Sequence, residues 1–265
     1  MGPEVGRALT PLAVTIGRDP DEAQIARARA AAERWKLPFV PRSKRDSLER
    51  LLEHRAQAFV VFQRNAVELV DREGRLQWSP GLALLRTKTM DGGGGDTLVQ
   101  LAGIQPGESI LDCTLGLAQD AVVAARAVGP EGRVVGLEKS LPLHVVVSEG
   151  LRAFDPGPRS CRVEPVHADA LSHLRSCADR SFDRVLFDPM FARPTRSQPA
   201  FEMLRRYADH SPLTPEMLEE AKRVARRAVV VKSSRVSSDL PRLGLQRVPH
   251  TRYSDVVWAR IDLDG

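Results

Sequence analysis

The sequence is poor in cysteine: Cys113, Cys161 and Cys177 are the only three in 265 residues, an odd number at wide spacings. That pattern excludes a readable disulfide framework or zinc-ligand spacing and points to a reducing cytoplasm. Long apolar runs are missing too, since none approaches the ~20 residues that cross a bilayer. The opening residues, MGPEVGRALTPLAV, lack a basic start, an apolar stretch and a small-residue cleavage site, so no secretory leader is expected. Gly6 stands where a myristoylation signal needs Ser or Thr. No membrane association and no metal site are expected. A phosphate-cradling G-x-x-x-x-G-K-[ST] loop does not occur.

What is present is an ordinary globular balance, 42% hydrophobic and 28% charged, in a chain long enough for one large α/β domain and a smaller companion. The net charge is +5, carried mostly by arginine, and the isoelectric point is near 9.4. Such a balance favours anionic partners, nucleic acid among them, and fits a solvated arginine-rich surface equally well.

The one compositional break is Gly92-Gly93-Gly94-Gly95. Four glycines sustain neither helix nor strand, so the run reads as a hinge or close-approach loop. It divides the chain into an N-terminal α+β module, residues 1–90, and a larger domain, residues 91–265. The module shows strands at 12–16 and 58–63, a short strand at 38–40, helices at 19–35 and 46–53 (the second capped by Asp46), and a hairpin around Asp71-Arg72-Glu73-Gly74. It carries no catalytic constellation. The larger domain alternates strands (109–112, 133–137, 163–167, 182–187, 227–232) with helices (96–102, 120–128, 142–154, 215–225), which predicts a mostly parallel sheet. Residues 246–251 and 255–261 read as a closing antiparallel hairpin, bringing the expected strands to seven.

Four strand ends carry the chemistry. Ser109-Ile110-Leu111-Asp112 leads into the loop Cys113-Thr114-Leu115-Gly116-Leu117-Ala118 and a helix. Such a small-residue loop lets the backbone approach a nucleoside at the carboxyl end of a sheet. Gly116 alone stands where a dinucleotide site needs three glycines, and a terminal acid repels pyrophosphate but welcomes a sulfonium or ammonium. Asp112 is therefore read as a ligand for a cationic amino-acid end, against the plainer alternative of a capping acid. Val134-Val135-Gly136-Leu137-Glu138 ends in an acid placed for ribose hydroxyls, with Lys139 next. His167-Ala168-Asp169-Ala170 puts Asp169 in reach of an adenine amine, while His167 reads as a packing residue.

The fourth end, Phe187-Asp188-Pro189-Met190-Phe191, suits methyl transfer to an exocyclic amine. The Asp188 carboxylate and the Pro189 carbonyl can accept the amine's hydrogens, and Phe191 offers a stacking face worth roughly 1–3 kcal/mol to a base. A bare Asp-Pro turn is the simpler reading of this element taken alone. Arg193, Arg196, Arg205 and Arg206 surround a loop near Pro194 and Pro199, and Lys232-Ser233-Ser234-Arg235 follows a later strand. These cations read as phosphate contacts or as solvated surface.

Together DCTLGLAQDA, VVGLEKS and FDPMF resemble the motifs of the RsmJ-type ribosomal RNA guanine-N2 methyltransferases, and especially bacterial relatives with a longer N-terminal module. The glycine-rich lead-in to Asp96-Thr97-Leu98-Val99-Gln100 and the strand ending in Lys232 are similar as well. The likeness covers residues 85–240. It implies a Rossmann-like class I methyltransferase sheet that uses S-adenosylmethionine, yields S-adenosylhomocysteine and acts on the N2 amine of a guanine in small-subunit rRNA, either as RNA or as a ribosomal particle. Asp112, Thr114, Gly116, Glu138, Lys139, Asp169 and Ala170 would bind the cofactor, and Asp188, Pro189 and Phe191 would receive the base. Ala118 replaces a glycine of the family pattern and Ala192 a proline. The alternatives are a methyltransferase for a small molecule or a protein amide, and a non-catalytic RNA-binding or assembly protein that keeps the fold.

Overall fold

The computed structural model describes residues 9–189, 199–249 and 255–263. Two compact units account for the chain. One comprises residues 1–78, 145–153 and 197–207; the other comprises residues 79–144, 154–196 and 208–265. The first break thus falls at Trp78/Ser79, upstream of the glycine run.

The first unit contains strands β1 (Thr10–Ile16), β2 (Ala56–Phe62), β3 (Val67–Asp71) and β4 (Arg75–Gln77), with helices α1 (Glu22–Arg34) and α2 (Leu48–His54). The sheet runs β1-β2-β3-β4, with β1 and β2 parallel and the later pairs antiparallel. The predicted short strand survives as a single parallel bridge between Val14 and Phe39. The cap of α2 is Ser47, which accepts from the Arg50 N–H. Asp46 instead accepts from the backbone and hydroxyl of Ser43, so the cap lies one residue past the predicted one. The β3–β4 turn closes on the Asp71 carboxylate, which accepts from the N–H groups of Glu73 and Gly74. Ala13, Leu51, Phe59, Val61 and Val70 form the core.

The second unit begins with α3 (Gly81–Asp91) and α4 (Thr97–Ala102). It continues through β5 (Ser109–Asp112), α5 (Gln119–Val128), β6 (Arg133–Glu138), the first residues of α6 (Leu141–Ala153, of which 145–153 belong to the first unit), β7 (Val163–His167), α7 (Ala170–Ser176) and β8 (Phe182–Phe187). After α8 (Pro199–Tyr207), which belongs to the first unit, come α9 (Pro215–Val224), β9 (Ala225–Ser234), α10 (Asp239–Arg242) and β10 (Val256–Asp262). Six strands are described, in the order β10-β9-β8-β5-β6-β7. All pairs are parallel except the edge pair of β10 with β9. The antiparallel closure is therefore made by β10 on β9. Of the expected strand 246–251, residues 246–249 lie outside any strand but include a backbone bond from the Val248 N–H to the Trp258 carbonyl; the rest lies outside the described residues.

One face of this sheet is sealed by α7 and α9, whose Leu174, Leu218, Ala221 and Val224 share a core with Leu111, Leu137, Val185, Phe187, Val229 and Val231. Alternation along each strand sends Ile110, Val134 and Val230, also buried, to the opposite face. The helix α3 is unmarked in the sequence because its apolar residues do not form a buried stripe: Leu82 and Leu85 are exposed and only Ala83 is buried. It ends in the glycine run, where Gly93 takes φ +84° and Gly94 packs so closely that a Cβ would lie 2.6 Å from the Thr89 methyl. Glycine is needed there for conformation and for space.

Candidate active site

Strand order reverses at β5, which has β6 on one side and β8 on the other. In an open parallel sheet the crevice beyond the carboxyl ends at such a switch point is where ligands bind. Asp112 ends β5 and Glu138 ends β6, in registers that set Asp112 beside Gly136 and Leu186. Asp188 follows β8, and its N–H donates to the Thr114 hydroxyl at 2.6 Å. The structure brings these predicted residues together at neighbouring strand ends: Asp112 and Asp188 are both bonded to Thr114, and Glu138 accepts from the Gly116 N–H in the same loop.

The loop after β5 is shaped by two left-handed residues, Gly116 at φ +50° and Ala118 at φ +60°. Ala118 is the position at which the family pattern has glycine, so the departure falls where a Cβ costs ~1–2 kcal/mol. Leu115 anchors the loop through its N–H to the Leu137 carbonyl at 2.8 Å. It packs on Gly136, where a Cβ would lie 2.3 Å from a Leu115 methyl. Gly136 is therefore the space that seats the loop.

The acids are strongly perturbed. Glu138 accepts from the N–H groups of Gly116 at 3.1 Å and Ser140 at 2.8 Å, yet burial pushes its carboxyl up to about 7. Burial likewise pushes Asp112 up to about 7, against the Thr114 N–H that it accepts at 3.0 Å. Two buried carboxyls with open acceptor positions are matched to a ligand that brings hydroxyl donors and a positive charge.

Around Asp188 runs a chain of charges that the sequence did not signal. Arg86 of α3 straddles the Asp96 carboxylate at 2.8 and 3.0 Å and reaches Asp120 at 2.5 Å. Lys232 of β9 joins Asp120 at 3.0 Å to Asp188 at 2.5 Å, with the Trp258 ring 5.6 Å from its ammonium. Burial alone would raise Asp120, but Lys232 and Arg86 outweigh it and hold the carboxyl below the usual range. Burial lifts Asp188 above the usual range, and Lys232 offsets part of that lift. Lys232, read from the sequence as a phosphate contact or a solvated cation, is instead committed to two carboxylates inside the fold.

The remaining predicted residues are peripheral or differently employed. Asp169 caps α7 through the Ser172 N–H and pairs with Lys139 at 3.3 Å, while Lys139 also meets Asp209 at 3.2 Å. The Ala170 side chain packs into the core, so its backbone N–H is what it can offer a ligand. His167 donates from Nε2 to the Lys139 carbonyl at 3.0 Å. Pro189 is described; Phe191, Arg193 and Arg196 lie outside the described residues. Arg206, another expected phosphate contact, pairs within its own unit with Asp71 at 2.6 Å and Glu73 at 2.5 Å. Among the described residues no cluster of His, Cys, Asp or Glu could hold a metal ion, and no helix is long and apolar enough to cross a membrane.

Comparison with known proteins agrees with this geometry. Residues 42–252 match a family described as "Putative SAM-dependent methyltransferase". The Bacillus subtilis protein YpiP is 33% identical over 225 residues, covering 83% of this chain and 87% of its own. The Ribosomal RNA small subunit methyltransferase J of Coxiella burnetii is 29% identical over 168 residues, covering 60% of this chain and 64% of its own. In fold, a SAM-dependent methyltransferase from Neisseria gonorrhoeae superposes with a TM-score of 0.58 at 18% identity, covering 93% of this chain and 94% of that one. The buried acids suit S-adenosylmethionine, whose ribose offers hydroxyls and whose ammonium and sulfonium are cationic. The chain is a methyltransferase and belongs to the SAM-dependent methyltransferase family.

Proposed function

We propose that the protein methylates the exocyclic N2 amine of a guanine in small-subunit ribosomal RNA. The observation that carries this reading is Asp188: it follows β8 with its N–H on the Thr114 hydroxyl and one carboxylate oxygen held by Lys232, and it is followed at once by the Pro189 carbonyl. In this reading Glu138 receives the ribose hydroxyls, Asp112 the ammonium of the amino-acid end, the backbone around Gly116 the approach of the nucleoside, and Asp169 with the Ala170 N–H the adenine edge. Lys139 screens the acids at that edge. S-adenosylmethionine supplies an electrophilic methyl group.

The chain's own contribution is orientation. A guanine amine is conjugated with its ring, so its lone pair must be turned out of the plane. Asp188 and the Pro189 carbonyl each accept one of its two hydrogens, which aims that lone pair at the methyl carbon. Transfer from bound S-adenosylmethionine would exchange its C–S bond for the new N–C bond, the electron pair staying on sulfur, and Asp188 or water would take the proton shed by nitrogen. Such positioning supplies on the order of 7–11 kcal/mol of the barrier. Phe191, next in sequence, is proposed to stack on the base. The kinship with Ribosomal RNA small subunit methyltransferase J supports RNA as the substrate class.

Mass spectrometry of nucleosides from the rRNA of cells with and without the gene tests this. Loss of one N2-methylguanosine, restored when purified protein and labelled S-adenosylmethionine are added to the deletion strain's small subunits or their RNA, is the expected result. An unchanged nucleoside profile with no label incorporated would remove RNA as the substrate.

A further inference from the structure

We propose that Lys232 is a positioning residue for the amine-accepting carboxylate: its ammonium occupies Oδ2 of Asp188 and leaves Oδ1 as the acceptor facing the substrate. Asp120, Arg86 and Asp96 in turn hold that ammonium. The proposal rests on the reading of Asp188 given above.

The placement follows from register. Phe187 of β8 pairs in parallel with Val231 of β9, so the next residues, Asp188 just past the end of β8 and Lys232 within β9, lie side by side. The ammonium lies 2.5 Å from Asp188 Oδ2 and 3.0 Å from Asp120 Oδ2. The second oxygen of Asp120 is taken by Arg86, which in turn grips both oxygens of Asp96, and Asp96 is itself fixed by capping α4. Trp258, paired with Lys232 across β10, covers the ammonium. Each ion is thus tied to a regular element: Asp96 to α4, Arg86 to α3, Asp120 to α5, Lys232 to β9.

Hydrogen-bond accounting gives the consequence. A free carboxylate presents two equivalent oxygens and rotates about its Cβ–Cγ bond; one whose Oδ2 carries a short charge-assisted bond does not. The substrate amine has two hydrogens, and with Oδ2 occupied it meets one carboxylate oxygen and one backbone carbonyl. That arrangement permits a single orientation of the lone pair. Charge acts in the same direction. Asp120 from α5 and Asp112 at the end of β5 repel the charge of Asp188, whereas Lys232 and, more weakly, Arg86 favour it. Lys232 keeps an acceptor where the bare site would favour an acid that donates.

Lys232→Gln removes the charge and keeps a donor; Lys232→Arg keeps the charge. Turnover on deletion-strain small-subunit RNA is measured against pH, alongside a carbon-13 NMR titration of the Asp188 carboxyl, assigned by its loss in Asp188→Asn. In Lys232→Gln, kcat is expected to fall about tenfold to a hundredfold, with KM nearly unchanged. The acid limb of kcat and the Asp188 titration should both move up by about 1–3 pH units, and Lys232→Arg should recover most of the loss. Asp120→Asn should move both downward, because it removes a repelling charge; this variant decides the matter where Lys232→Gln does not fold. A loss of melting temperature with both pH readouts unmoved would overturn the proposal. Full turnover in Asp188→Asn would instead overturn the underlying reading. An inactive Asp188→Asn beside an undisturbed Lys232→Gln would overturn only the role given to Lys232.

Discussion

The two acids at the ends of β5 and β6, raised to about 7 by burial, make cofactor binding sensitive to pH in a computable way. If the ligand is received by the ionised carboxyls, each must lose its proton before or during binding. At about pH 5.5, some 1.5 units below the midpoint, about 3% of either group is ionised, so each reduces affinity about thirtyfold relative to about pH 8.5 and the two together about a thousandfold. The sign is that affinity rises with pH. The empty protein behaves in the opposite sense. Its raised carboxyls bind protons that the unfolded chain has already released between about pH 4.5 and 7, so this pair costs stability as pH climbs through that window, by about 3–4 kcal/mol per group at most. Isothermal titration calorimetry with S-adenosylhomocysteine, repeated in buffers of different ionisation enthalpy, counts the protons released. Close to one proton in total should leave at about pH 7, half from each acid, and Glu138→Gln should halve that number. A dissociation constant that moves less than about threefold over the range, with no proton release, would refute the assignment of both acids to the cofactor.

Two further outcomes follow from packing. Gly136→Ala places a methyl 2.3 Å from Leu115 and should push the β5–α5 loop off its seat, costing about 1–3 kcal/mol and weakening S-adenosylhomocysteine binding; thermal melts and calorimetry read both. Arg184 and Glu108 form a buried bidentate pair at 2.7 and 2.9 Å. Arg184→Met should cost about 2–4 kcal/mol in chemical denaturation because it leaves buried Glu108 with only the more distant Arg227 and the Gln105 N–H, while leaving the cofactor affinity of the remaining folded protein unaltered.

The strands and acids of the site could be read from sequence because they are local. A short apolar run that ends in an acid and a small-residue loop declares itself within about ten residues, and β5, β7 and β8 fall on their predicted bounds. What sequence concealed is pairing over distance. Arg86 lies in an unremarkable helix 34 residues before its partner Asp120, and nothing in TKTMD or its surroundings marks it. Lys232 closes a valine run and so reads as an exposed cation, yet the register of β9 on β8 turns it inward to Asp188. Residues 145–153 continue a helix that opens in the second unit, but they belong to the first, where Glu149 accepts from the Trp35 ring at 2.8 Å and from Arg34 at 2.6 Å. Helical periodicity cannot reveal that change of allegiance. The closing strand was legible only in part for a related reason: β10 has the alternation of an edge strand, but alternation does not name β9 as a partner.

A crystal structure with S-adenosylhomocysteine tests the central claim most directly. The account predicts the ribose on Glu138, the amino-acid end at Asp112, and the sulfur turned toward Asp188 with space for an amine about 3–3.5 Å from the missing methyl. A ligand bound elsewhere, or in this crevice with its sulfur turned away from Asp188, would contradict it.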